Sequence, residues 1–463
     1  MARVTTTNGA GAFSNTGNKL VDLFSTIGAS RNDLEGIRKR FEAAFKVDPL
    51  KAAAILLYAR DIRHNGAGER QVFRTILKDM AGSGKRYTGE VLNLIADVGR
   101  FDDFQAVYGT PYEKTAVAIW AQAIRERNVL AAKWAKREDK VLQKALGLNE
   151  AGLRKLLASI RKEHIVEAKM CSGNWTGIDF SKLPSVAGMR NAKAFGRHDG
   201  VRYTAFITSK ETKVNASTSF PHDVYRMMKY GDQRQAAAKY WENLPSLGCK
   251  GNILPIIDTS SSMNTTASGA ISCLDVSVSL GTYLAQQIVG KFQNMCISFN
   301  HTPKLHKLPV SNDPCAILDY VARIDWGGNT DLQATYELVL AMAKQMHCTQ
   351  EDLPEYLMIL SDMQFDQAVG GGYYNRTTTK PETIYENMTK KFAEAGYKMP
   401  KVIFWNLNAM YNNQPTASFQ ADTALIAGFS PNIIKAVLAC KDVVITPESI
   451  MENAIAPFIA MLS

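Results

Sequence analysis

The sequence predicts an α-helical module over residues 30–250 followed by an α/β, doubly wound domain over 251–463, with residues 1–29 as an N-terminal arm. Three observations predict it. Apolar residues recur at three- and four-residue spacing through the first part. After Gly251, short apolar runs alternate with helical stretches. The net charge of +10 also divides unequally there. Residues 1–250 hold 41 Lys and Arg against 25 Asp and Glu, a net +16, whereas 251–463 hold 13 against 19, a net −6. The first part suits a polyanion and the second a metal ion or a basic partner. Cations that only solvate helix surfaces are the competing explanation.

Length and composition bound both parts. A chain of 463 residues with 46% hydrophobic content can bury a sizeable core in each of two or three domains. No run approaches the roughly 18 apolar residues of a membrane helix. The opening stretch, rich in Thr, Asn and Gly, has neither the basic start nor the apolar core of a signal peptide. The expectation is a cytoplasmic protein with no membrane partner. Seven scattered cysteines without a Cys-x-x-Cys pair read as reduced, mostly buried thiols.

From Ser30 to about Leu157, apolar residues such as Leu34, Ile37, Phe41 and Phe45, then Val72, Phe73, Ile76, Leu77 and Met80, line single helix faces. Asp48-Pro49 marks one helix start, Gly66 and Gly82 lie near two stops, and Gly99 precedes Phe101-Asp102-Asp103. Short links between such helices imply a stacked array, although no strict period names a repeat family. Residues 160–250 are looser, with short helices between long irregular links. Arg161, Lys162, Lys169, Arg190, Lys193, Arg197 and Arg202 are interleaved there with Trp175, Phe180, Phe195, Tyr203 and Phe206. Cations hold phosphates and rings stack on bases, so these seven cations are the candidate RNA contacts. Rings that merely anchor a loop-rich core are the alternative.

In the second part, residues 253–257, 295–299, 356–360, 402–407 and 443–445 read as buried strands, with helices over 274–292 and 332–346 between them. That alternation means a mostly parallel sheet, whose ligands bind beyond the carboxyl ends of the strands. The first strand ends in Asp258-Thr259-Ser260-Ser261-Ser262, placing one carboxylate and two hydroxyls on a tight loop. These are hard oxygen donors that suit Mg²⁺ or another small divalent cation. Downstream, Gly327-Gly328-Asn329-Thr330-Asp331 offers a hydroxyl beside a carboxylate, and Leu360-Ser361-Asp362 ends a third strand with another carboxylate. Asp331 and Asp366 also lie close to these loops. Any one such loop more often caps a helix. The set in this order resembles the metal-ion-dependent adhesion site of von Willebrand factor A domains, with Asp258, Ser260, Ser262, Thr330 and Asp362 matching its five positions. The resemblance implies a site that binds rather than catalyses, leaving one position for a carboxylate supplied by a protein partner.

Tyr58-Ala59-Arg60-Asp61-Ile62-Arg63, followed by Gly66-Ala67-Gly68-Glu69-Arg70, resembles the signature of TROVE modules found in Ro ribonucleoproteins. Glu167-Ala168-Lys169-Met170-Cys171-Ser172-Gly173-Asn174-Trp175, with Leu183-Pro184-Ser185 and Phe195-Gly196-Arg197-His198-Asp199, is similar to a Ro-related family of unknown function from plants, fungi, large viruses and bacteriophages. The resemblance spans roughly residues 30–445. It implies an α-helical, HEAT-like repeat ring or horseshoe joined to a von Willebrand factor A-like domain, with RNA on the basic outer face or through the opening. For a viral member, the host cytoplasm or the virion is the expected location. The middle segment departs from the Ro pattern, so no Ro RNA contact carries over residue by residue. For Arg60, Arg63 and Arg70, ion pairs that lock a helix turn are a sufficient reading.

Enzymatic machinery is not expected. Gly82-Ser83-Gly84-Lys85 lacks the earlier glycine and the following hydroxyl of a phosphate loop, and the histidines form no ligand or nucleophile pattern. The reading is therefore an RNA-associated scaffold with a metal-dependent partner site. Its rival is a protein-interaction or structural component of a viral, phage or other large assembly that binds no RNA.

Overall fold

Helix Pro49–Arg60 is apolar on almost every side, and from Ala52 to Arg60 the chain buries every residue of it. A helix without a polar face must be surrounded, and this one is central to the helical part of the protein. Asp48 caps it by accepting from the Lys51 N–H at 3.0 Å, with Pro49 in the first turn. The computed structural model describes residues 3–5, 11–162, 164–231, 233–246, 253–268, 271–299, 302–311, 313–324, 331–363, 384–410, 414–431, 433–438 and 445–463.

Contacts divide the chain into two units. One comprises Met1–Val47, Phe220–Arg226 and Ser246–Ala454; the other comprises Asp48–Ser219, Met227–Pro245 and Ile455–Ser463. The sequence reading had placed a single boundary at residue 250 and set residues 1–29 apart. The contacts instead assign the first 47 residues to the α/β unit and the last nine to the helical unit. No helix among the described residues is long and apolar enough to cross a membrane.

The helical unit is built from short amphipathic helices, among them Gln71–Gly82, Glu113–Arg125, Glu150–Arg161, Ser185–His198 and Gly200–Thr208. A charged cluster lies inside it. The Arg60 guanidinium meets Asp103 at 2.7 Å, and Arg74 reaches the other oxygen of that carboxylate at 2.6 Å. Arg100 pairs with Asp102 and lies over the Trp134 ring at 3.3 Å. Arg63 donates to the carbonyls of Ala96 and Gly99. Arg60 and Arg63 therefore hold helix ends, whereas Arg70 is exposed and carries no ion pair among the described residues.

The α/β unit contains β1 (Arg3–Thr5) and β2 (Gly11–Phe13), an antiparallel pair, and the main-sheet strand β3 (Ile253–Asp258). A small hairpin follows, β4 (Thr266–Ser268) with β5 (Ile271–Ser272). Then come β6 (Met295–Phe299), β7 (Lys304–Lys307), β8 (Tyr356–Ser361), β9 (Lys401–Asn406) and β10 (Thr423–Ala427). The main sheet runs β10-β9-β8-β3-β6-β7, parallel throughout except for β7 at the edge. Consecutive residues of β3 point to opposite faces. Ile256 joins a core with Tyr336 and Val339 of helix Leu332–Gln345, while Ile257 faces helix Cys273–Gln287. A Cβ on Gly281 of that helix would come within 2.5 Å of the Ile257 side chain, so glycine sets the helix-to-sheet distance. Both faces are covered, as a parallel sheet requires.

The sequence reading omits two strands of the main sheet, β7 and β10. Of the strand expected at 443–445, residues 443 and 444 lie outside the described residues, and Ile445 is in no strand. The edge beside β9 is filled by β10, on which helix Lys19–Ile27 packs. Gly28 passes so close that a Cβ there would lie 2.1 Å from the Ala427 carbonyl oxygen.

Candidate functional site

Strand order reverses between β3 and β8: the chain leaves β3 for β6 on one side and reaches β9 from β8 on the other. At such a reversal, two adjacent strand ends open a crevice. Asp258 closes β3, and Asp362 follows Ser361 at the end of β8. Both carboxylates are withdrawn from solvent, 0% and 1% exposed.

Asp258 is not spent on capping a helix. One of its oxygens accepts the Ser260 N–H at 2.9 Å, and the other accepts the Ser361 hydroxyl at 2.6 Å. Ser260 and Ser262 face each other, Oγ to Oγ, at 3.0 Å. Burial, and then the neighbouring Asp362, push the Asp258 carboxyl up to about 7. Next to them the Cys273 thiol is pushed up to about 12, by burial first and then by Asp362 and Asp258. That thiol is directed to the Leu407 carbonyl at 3.5 Å, and the groups beside the two carboxylates are hydroxyls. Directly after Asp362, Met363 adopts φ +65°, with its N–H on the Ser361 hydroxyl at 3.0 Å. Left-handed backbone in a non-glycine residue costs energy and concentrates at functional sites.

The structure thus brings together Asp258, Ser260, Ser262 and Asp362 of the predicted set. Thr330 lies outside the described residues, as does Asp366. Asp331 is buried and caps helix Leu332–Gln345 through the Ala334 N–H at 2.8 Å. Among the described residues, no three carboxylate, imidazole or thiol groups cluster as metal donors. The set here is two carboxylates with hydroxyls, and its chemistry fits a hard divalent cation: two buried like charges need a counter-charge, and hydroxyls complete an oxygen shell.

Sequence reasoning missed Ser361, which fixes Asp258, and the reach of the N-terminal segment. Arg31 donates to the Ala267 carbonyl at 3.4 Å and lies 4.4 Å over the Phe429 ring; Asn32 donates to the Thr266 carbonyl at 2.9 Å. These contacts cross more than 230 positions of sequence, and no local pattern signals them.

In the helical unit, the candidate RNA contacts separate into two kinds. Arg190, Lys193 and Arg197 lie three and four residues apart on helix Ser185–His198, all exposed and with no hydrogen bond or ion pair among the described residues. Lys162 is likewise exposed and unpaired. Arg161, Lys169 and Arg202 are instead committed to backbone. Arg161 donates to the carbonyls of Ala132, Lys133 and Ala135, ending helix Val129–Trp134. Lys169 holds the Gly177 carbonyl at 2.9 Å. Arg202 binds Asp199 at 2.7 Å and the carbonyls of Ile178 and Trp175, each at 2.8 Å.

Residues 252–455 match the model of a domain of unknown function (DUF7788), and residues 6–81 and 116–246 match another domain of unknown function (DUF2828). Over 525 aligned residues the chain is 25% identical to the uncharacterized protein L728 of Acanthamoeba polyphaga mimivirus, covering 98% of this chain and 87% of that one. Among solved structures it is similar to the Ro (RSR) protein of Deinococcus radiodurans, with TM-score 0.36 and 13% identity, covering 94% of this chain and 93% of that chain.

Proposed function

We propose that the protein is an RNA-associated scaffold that carries, in its α/β unit, a divalent-metal site for a carboxylate-bearing protein partner, and that it binds rather than catalyses. The observation that carries the RNA reading is the row of Arg190, Lys193 and Arg197, three exposed cations with no hydrogen bond or ion pair among the described residues, on one helix of the basic half. Cations that only solvate a helix surface are usually mixed with acids, and this face holds none. Such a row tracks a phosphate backbone. The Ro-like motifs of residues 58–70 and 167–199 support the same reading, as they do a HEAT-like arrangement of the helices.

Support for the metal reading comes from the reversal in strand order, the oxygen donors gathered at it, and the match of Asp258, Ser260, Ser262, Thr330 and Asp362 to the adhesion-site pattern of von Willebrand factor A domains. The residues that would hold Mg²⁺ or a similar ion are those on the β3 and β8 ends, with Thr330 as the fifth. When bound, the ion supplies a Lewis-acidic position for a partner's carboxylate.

Binding of the full-length protein to a labelled single-stranded RNA, measured across a salt series, tests the RNA reading. Affinity should fall steeply and log-linearly with salt. Absence of binding at low salt would refute it, and would favour an assembly component joined through the metal site.

A further inference from the structure

We propose that the cavity walled by Thr176, Gly177, Asp179, Phe180, Arg202 and Phe206 takes an unpaired nucleobase carrying an exocyclic amino group. The inference rests on the RNA reading above and names a ligand for one place on that surface. The cavity holds about 300 Å³, the lower end of the volumes used for small-molecule sites. Its chemistry excludes a phosphate. Among the described residues the only cation lining it, Arg202, is spent on Asp199 and two carbonyls, and the Asp179 carboxylate adds a negative charge to the wall.

The same chemistry suits a flat, neutral ring. The partly exposed Phe206 offers aromatic surface, packed against the buried Phe180 with centroids 5.6 Å apart, and the Arg202 guanidinium, over Phe180 at 4.5 Å, offers a second flat surface held in place by three partners. Bases stack on both kinds of surface. Asp179 accepts from the Ser181 N–H and hydroxyl on one oxygen and keeps Lys182 at 3.3 Å on the other. A carboxylate has about four lone-pair directions, so it can still accept an amino proton.

Continuity with the cationic row joins the two features. His198 ends the helix that carries Arg190, Lys193 and Arg197, and its ring stacks on Trp175 at 4.3 Å and 7°. Trp175 is followed by Thr176 in the cavity wall. A strand whose phosphates follow the row meets a ring pair and then the cavity.

The test compares binding of the full-length protein to oligocytidylate and oligouridylate of equal length at low salt. Cytosine carries the amino group and uracil does not. Cytidylate should bind about tenfold or more tightly, the size of one good base-edge contact. Asp179→Ala, an exposed substitution that removes the acceptor and whose folding is checked by its melting temperature, should bring that ratio close to one while leaving the salt slope unchanged. Arg190→Ala with Arg197→Ala should weaken both oligomers alike and keep the ratio. Equal wild-type affinity for the two oligomers, or an unchanged ratio in the Asp179 variant, overturns the cavity assignment and leaves the RNA reading intact. If neither oligomer binds, the RNA reading falls and the cavity assignment with it.

Discussion

The Arg60 guanidinium donates to the Asp103 carboxylate at 2.7 Å, with both side chains almost fully withdrawn from solvent, 2% and 0% exposed. Asp103 also receives Arg74 at 2.6 Å and the Arg100 N–H at 3.0 Å, so one carboxylate ties three segments of the helical unit together. Asp103→Ala should cost about 3–5 kcal/mol, because it strands buried guanidinium charge. Urea unfolding would measure it, and a loss under about 1 kcal/mol would mean that water replaces the carboxylate.

Gly99 borders the same cluster. A Cβ there would lie 2.7 Å from the Asp103 carboxylate and 3.1 Å from Arg60, both held in place. Gly99→Ala should therefore destabilise by roughly 1–3 kcal/mol, against the gain that the same substitution gives at an unstrained site. A rise in melting temperature would contradict the packing described.

For Asp258 the pH dependence has a definite sign. Burial and Asp362 raise its folded-state carboxyl toward about 7, so between the ordinary carboxylate range and that value the folded state binds more protons than the unfolded one. Stability from this group falls as pH rises through that window and stays lower above it. A divalent cation replaces the missing proton, so Mg²⁺ should raise the melting temperature more at about pH 8 than at about pH 5. Asp258→Asn should flatten both effects; if it leaves the Mg²⁺ effect unchanged, the ion binds elsewhere.

Arg190, Lys193 and Arg197 are expected to act by charge. Replacing all three by Ala should weaken RNA binding across sequences and reduce the salt slope by about two, near 0.7 for each phosphate contact to a single strand. An unchanged slope would place the phosphates elsewhere.

Arg161→Ala should do the reverse, lowering the melting temperature with no change in salt slope. Its guanidinium is occupied by the carbonyls that end helix Val129–Trp134. A reduced slope with unchanged melting temperature would return Arg161 to the RNA surface.

Arg161 and Arg190 show where sequence reading stops. Both are arginines among aromatic residues in a basic stretch, and only the fold decides that one meets carbonyls and the other faces solvent. The strands at 253–258, 295–299 and 356–361 were legible because burial on both faces demands continuous apolar runs. β7 was not, since an edge strand of Lys-Leu-His-Lys needs little apolar surface. Asp258, Ser260, Ser262 and Asp362 could be grouped from their strand ends alone. Ser361 stood in plain view, but its hydrogen bond depends on the register of β3 against β8.

The assignment of Met1–Val47 to the α/β unit bears on how the chain is made. Helix Lys19–Ile27 leaves the ribosome well before β10, the strand on which it packs. At about 5–20 residues per second, roughly 20–80 s separate the two events. During that interval Leu20, Leu23, Phe24 and Ile27 have no sheet to cover them, and all of the helical unit except Ile455–Ser463 is synthesised in between. Nascent chains should therefore pass through a stage in which all of the helical unit but its last nine residues has been made while the first helix still has no sheet against its apolar face, the stage at which a chaperone has most to hold.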